Sequence, residues 1–374
     1  MRGRNSWRTS VILASLWLAA ALGGASAATP PIYFTANLTP QADPAAVTPL
    51  EQALLDQIAA ATNTIDAALY EFDRRSLRDA LLAANDRGVR VRIVTDDQTH
   101  YSEEDWPTYQ ALDDAGIEIV DDYGKGGELR VHDKYLILDG QRVWTGSTNF
   151  TTADLTRNHN NALLFTSPAV AQMYQYDFDQ LFAKRFGALK SASPITQTTY
   201  GGYPLEVFFA PQDAPLDRII GEVNAAQTSI DFAILQLQDD GLADALLAAQ
   251  ARGVKLRGLL DAGSADDSDS DDEALCNAGA PLQIEGTPGR LHHKFMLIDA
   301  GQARERLITG SLNWTPAGRS GSSENTLVLH DPAAVRAYAD AFDTLWALAP
   351  VQAECNVTPL PPPAAWLYLP AAAR

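Results

Sequence analysis

Apolar positions along the chain switch between two periods, and the switch is written twice. Residues 65–72 form a short apolar run suited to a buried strand. Leu77, Ala80, Leu81 and Ala84 then fall on one helical face, with Ser76 placed to cap that helix and Gly88 to end it. Residues 89–95 are rich in β-branched side chains and read as the next strand. Residues 50–61, ahead of this unit, carry helical periodicity. At one constant offset Ile65, Asp66, Ala68, Leu77, Asp79 and Ala80 return as Ile230, Asp231, Ala233, Leu242, Asp244 and Ala245. The run continues with Leu81, Leu82, Ala83, Ala84, Arg87, Gly88 and Val89, which return as Leu246, Leu247, Ala248, Ala249, Arg252, Gly253 and Val254. Such self-similarity marks two homologous copies of one domain. Strand, helix, strand in each copy predicts an α/β fold with a parallel sheet core and crossover helices. Asp139-Gly140, between apolar runs at 130–138 and 143–146, predicts a hairpin. Helices at 169–186 and 332–348 close the copies. The first domain is thus expected at 28–186, a polar linker at 187–203, the second domain at 204–349, and a Pro/Ala-rich tail at 350–374 that folds back as a clasp.

The first 27 residues read differently. Arg2, Arg4 and Arg8 precede an apolar run at 11–22, and Ala25-Ser26-Ala27 supplies the small residues of a cleavage site. This is the pattern of a secretory signal peptide, and the run is shorter than the roughly 20 residues that cross a bilayer. The expected location is therefore secreted or periplasmic. Export permits a Cys276–Cys355 disulfide without showing that the two sulfurs meet. Two cysteines in 374 residues exclude a disulfide scaffold and a cysteine-rich zinc module. The formal charge of −19 opposes nonspecific coating of nucleic acid. A Ser/Asp run at 264–272 lacks the central Gly and terminal Glu of an EF-hand and reads as a solvated loop.

Chemistry concentrates in two matching stretches. Each holds H-x-K-x4-D: His132, Lys134 and Asp139, then His292, Lys294 and Asp299. Each then holds G-S-x-N, with Ser147 and Asn149, then Ser311 and Asn313. Eleven residues past each Asn a polar pair begins: Asn160-Asn161, and Glu324-Asn325. Residues two apart on a strand share a face, so imidazole and ammonium project together. With an amide and a hydroxyl nearby, this set suits a phosphate. Two histidines serve a two-step displacement, one attacking phosphorus to give a phosphohistidine and the other moving the proton. His132, Lys134, His292, Lys294 and Glu324 are the expected catalytic groups. Asn149, Asn313, Ser147 and Ser311 are expected on the phosphate, with Asn160, Asn161 and Asn325 in support. Glu324 is expected to hold its own copy's His292 in the protonated form, leaving His132 to attack. Asp133, His293 and His159 read as structural, and Trp144 and Trp314 as core. Tyr70 and Phe72 are candidates for the cleft wall.

The paired motifs resemble the phospholipase D superfamily over nearly the whole chain after the leader. That resemblance implies two α/β/α sandwich domains in a pseudo-twofold arrangement with one active site at their interface. It implies phosphodiester hydrolysis or transfer with no cofactor and no metal, and a supporting role for Asp139 and Asp299. An amide on the nucleophile side, as expected from Asn160, is similar to the tyrosyl-DNA phosphodiesterase branch. The favoured reading is a secreted phospholipase D-like enzyme, a monomer with a phospholipid substrate and contact with a membrane surface. The alternative is an exported metal-independent endonuclease, which the acidic composition disfavours.

Overall fold

Short apolar segments of the kind seen in the sequence form two mixed sheets. The structure, a computed structural model, describes residues 29–35, 45–123, 130–265, 267, 269–285 and 287–349. The leader at 1–27, the tail at 350–374 and Cys355 lie outside the described residues; Cys276 is buried and disulfide-bonded. The first sheet runs, edge to edge, Ile32–Phe34, Asn161–Thr166, Arg142–Gly146, Lys134–Leu138, Thr64–Leu69, Arg90–Thr95 and Glu118–Asp121. The second repeats that order with Tyr203–Phe209, Asn325–Leu329, Arg306–Gly310, Lys294–Ile298, Ser229–Ile234, Lys255–Leu260 and Leu282–Ile284, and adds Gln197–Tyr200 at its edge. Only the strand–helix–strand portions are parallel; the motif hairpins pair antiparallel, so each sheet is mixed rather than parallel throughout.

Each sheet is covered on both faces. Leu54, Ile58, Leu77 and Leu81, on helices Pro49–Ala59 and Arg75–Asp86, pack on the outer face of the first sheet. Leu216, Ile219, Leu242 and Leu246 do the same for the second. The inner faces carry the long closing helices, Pro168–Phe182 and Pro332–Leu348. Both open alike: Ser167 or Asp331 accepts a backbone amide at the N-cap, and proline follows. Tyr135, Phe178, Phe209, Phe295, Leu327 and Tyr338 join the halves in one shared core. Two halves thus bury their inner layers against each other.

Two local expectations are corrected. The stretch 187–203 is not simply a linker, because Gln197–Tyr200 pairs with Tyr203–Phe209. Gly201 and Gly202, both at positive φ, close that hairpin, and a two-glycine turn between β-formers was the available signal. Lys190 in the same stretch is buried against Asp177 at 2.5 Å and donates to the Ala210 carbonyl at 2.9 Å. Ser76 does not cap its helix. The N-cap is Arg74, whose side chain makes no capping bond and pairs with Glu51, and the Ser76 hydroxyl donates to Glu51 as well.

The motif aspartates act at the hairpin turns. Asp139 and Asp299 sit at positive φ. Asp139 accepts the amides of Thr62, Asn63 and Thr64, the last at 3.1 Å, and so ties the hairpin to the loop entering the central strand. Asp299 repeats this with Gln227, Thr228 and Ser229. Burial would raise both carboxyls, but the amides at Asp139, and the Thr228 hydroxyl, Arg304 and the amides at Asp299, hold them below the ordinary carboxylate value. Asp139→Ala is expected to cost about 1–3 kcal/mol of stability by orphaning these amides. Denaturant melts would show the loss, and turnover per folded molecule would stay near wild type.

Candidate active site

Each motif histidine is pinned by the other half of the chain. Arg130–Val131 pairs in parallel with Ser322–Ser323, and the His132 amide donates to the Ser323 carbonyl at 3.0 Å. The counterpart is a bridge between His159 and Leu291, with the His292 amide on the His159 carbonyl at 3.0 Å. The side chains cross as well. His132 Nδ1 lies 2.7 Å from Glu324 Oε1, and His292 Nδ1 lies 2.8 Å from Asn160 Oδ1. Fixing Nδ1 in this way leaves Nε2 of each ring for chemistry.

This crossing overturns the expected pairing of Glu324 with His292. In each sheet the strand that follows residue 160 or 324 is separated from the H-x-K strand by the hairpin's second arm. The residue at its entry therefore reaches across the interface instead of back along its own half. His292 has a carboxylate nearby all the same: Asp154 Oδ2 is 3.6 Å from its Nδ1. The sequence reading missed Asp154. It lies seven residues past Ser147, where the second copy has Gly318, so comparison of the repeats gave no pair to notice.

The cations are buried beside the rings. Lys134 Nζ donates to the His132 carbonyl at 2.6 Å, and Lys294 Nζ to the His292 carbonyl at 2.8 Å. Burial, then Lys134, drive Lys294 well below the ordinary ammonium value, and burial also lowers Lys134. An anion bound beside these buried ammoniums favours their charged forms. Both imidazoles are likewise held well below the ordinary value, first by burial. Lys134 and Lys294 add to this at both rings, while Asp154 opposes it at His292. Burial alone would raise Asp154, but His292, Asn158 and Lys294 hold it below the ordinary carboxylate value. Glu324 behaves otherwise: burial pushes it up to about 8.

The remaining expected residues divide into two layers. Asn149 donates to Glu71 at 2.9 Å, and the buried Oδ1 atoms of Asn149 and Asn313 have no hydrogen-bond partner among the described residues. Ser147 and Ser311, expected on the phosphate, are fully buried behind the site. Ser147 donates to Asn160 at 2.8 Å and accepts the amide and side chain of Asn161. Ser311 accepts from Asn325 in the same way. Ser147 thus holds the group that holds His292. Gly146 and Gly310 precede these serines at positive φ, and an added Cβ would collide with the carbonyl oxygen of Asn161 or Asn325. Asn161 and Asn325 staple the halves, bonding His293 at 3.1 Å and Asp133 at 2.8 Å. Tyr70 does reach the site, its ring 4.5 Å from that of His132 and 4.9 Å from Lys134 Nζ. Phe72 is in the outer core, as is Trp144, and Trp314 is in the matching core of the second half. His159 is buried against Thr287 at 2.5 Å.

Residues 54–182 and 219–346 match a family described as cardiolipin synthase, PLD-like domain. A mitochondrial cardiolipin hydrolase of Chlamydomonas reinhardtii is 26% identical over 192 residues, covering 45% of this chain and 84% of that protein. A phospholipase D of Rickettsia conorii is 32% identical over 130 residues, covering 35% of this chain and 63% of the relative. Among solved structures, a phosphatidylserine synthase of Haemophilus influenzae has a TM-score of 0.63 at 12% identity, covering 87% of this chain and 88% of that chain. At that identity the likeness concerns the fold.

Proposed function

The chain belongs to the phospholipase D superfamily and is a phosphodiesterase of that type, and from that premise we propose that it cleaves phospholipids through a phosphohistidine. The observation that carries the reading is the cross-braced pair, His132 on Glu324 and His292 on Asn160, with both lysines beside it. The named activities of the relatives and the acidic composition favour a lipid over a nucleic acid.

In this mechanism His132 Nε2 attacks phosphorus. A P–N bond forms, the P–O bond to the leaving alcohol breaks, and His292 gives its Nε2 proton to the departing oxygen. Water then attacks phosphorus from the vacated side, gives a proton to His292, and the P–N bond breaks. Glu324 offsets the positive charge that the imidazole acquires when phosphorylated. Asp154 favours the proton on His292, and the arriving phosphate strengthens that preference by adding negative charge. His132 therefore keeps the attacking role, but the acid is supported by Asp154 rather than by Glu324. Lys134 and Lys294 bind the non-bridging oxygens and stabilise the charge that builds in the transition state. Export by the leader belongs to the same reading, with Ala28 as the first residue of the purified mature protein on N-terminal sequencing.

Purified protein offered phosphatidylcholine, cardiolipin and plasmid DNA should release lipid products and leave the DNA intact. Nicked DNA without lipid turnover would replace this reading with the endonuclease. His132→Ala and His292→Ala should each reduce kcat by at least about 100-fold, the lower end for acid–base groups. Phosphate trapped on His292 in place of His132 would reverse the roles.

Asp154→Asn should lower kcat/KM and move the alkaline limb of its pH profile to lower pH. The sign follows from Asp154 raising the His292 value, since loss of that charge lets the acid lose its proton sooner. An unmoved limb would remove Asp154 from the proton path.

A further inference from the structure

The rim beside Tyr70 carries three carboxylates that the reaction does not use. Strands Arg90–Thr95 and Glu118–Asp121 lie parallel, with Thr95 opposite Asp121. Asp96 and Asp122, one residue beyond, leave the sheet side by side, and Asp97 follows. Each of the three brings a carboxylate oxygen within 4.8 Å of the others. Asp96 and Asp122 are only 1% and 3% exposed, while Asp97 is half-buried and opens to solvent. Backbone donors fix one oxygen of each buried carboxyl. Asp96 Oδ1 accepts the amides of Gln98 and Thr99 at 3.1 and 3.3 Å, and Asp122 Oδ1 accepts the Asp97 amide at 2.8 Å. The second oxygen of each, Oδ2, has no hydrogen-bond partner among the described residues.

Buried acceptor oxygens are nearly always satisfied, and two adjacent carboxylates repel unless a proton or a cation stands between them. An all-oxygen set selects a hard cation. Three carboxylates on one ion suit calcium, which accepts several in a flexible shell, better than magnesium, which keeps its waters and is usually held by one or two.

We propose that Asp96, Asp97 and Asp122 form a calcium-class divalent-cation site at the rim of the catalytic cleft. Asp97, open to water, leaves room for solvent to complete the coordination. The ion takes no part in phosphoryl transfer. It fixes the turn at 96–99, from which Thr99 donates to the Tyr70 carbonyl at 2.6 Å. Tyr70 in turn lies against His132 and Lys134. The site stands apart from the lipid reading, and its test reads binding and stability rather than turnover.

The full chain is stripped with chelator, dialysed, and melted during titration with calcium chloride or magnesium chloride, with calorimetric titration alongside. Calcium should raise Tm progressively and more than magnesium does, as a ligand of the native state alone must. Asp122→Asn should abolish the calcium-dependent rise, with a melting point in chelator equal to or above wild type. Asp97→Asn, at a half-buried position, should weaken the response and serves as the second variant if Asp122→Asn does not fold. No shift in wild type up to about 10 mM calcium, beyond the weak end of protein calcium sites, would overturn the proposal. A calcium response that survives both substitutions would also overturn it, by placing the ion elsewhere. A stabilised Asp122→Asn beside an unresponsive wild type would identify a proton shared by the two buried carboxyls instead.

Discussion

The site depends on hydrogen bonds that cross between the two halves. Neither H-x-K motif orients its own imidazole. His132 takes its brace from Glu324 and its backbone anchor from Ser323, both in the second half. His292 takes Asn160 and His159 from the first. An imidazole is useful only when one nitrogen is held and the other is free, because the held nitrogen sets the tautomer. Separating the halves would therefore remove the brace from both rings at once. The inner core, with Tyr135, Phe209, Phe295 and Tyr338, keeps that separation from happening.

Duplication supplies the symmetry, and a few substitutions break it where chemistry needs two unlike histidines. Asn160 and Glu324 occupy matching places, as do Asp154 and Gly318, and Asp133 and His293. One ring faces a carboxyl that burial makes reluctant to ionise, at about 8. The other faces an amide with an ionised carboxylate 3.6 Å away. The difference between the two environments is electrostatic, since the backbone around them follows the same path in both sheets. Low polarity magnifies such differences, which is why the buried lysines and imidazoles respond strongly to their neighbours.

Behind the reacting groups stands a saturated polar layer. Ser147, Ser311, Asn161 and Asn325 spend their hydrogen bonds on one another, on the bracing residues and on the opposite half. Buried polar groups so fully paired add rigidity, whereas the same groups left unpaired would be costly. Their conformational needs also account for glycine at 146 and 310, where the chain passes too close to a neighbouring carbonyl for a side chain.

The sequence by itself determined the repeated unit, the strand–helix–strand order, the hairpin at Asp139, and the two histidines and two lysines as candidates. These are local properties: periodicity, turn chemistry and side-chain alternation act over a few residues. Only the tertiary structure decided that Glu324 serves His132, that Asp154 stands by His292, and that Ser147 and Ser311 lie behind the site. Those relations depend on how two sheets pack across an approximate twofold axis. Residues 192 positions apart, as His132 and Glu324 are, leave no trace of that packing in their spacing. Gln197–Tyr200 was local and still missed, because its polar threonines resemble a linker until the Gly201-Gly202 turn pairs them with a buried strand.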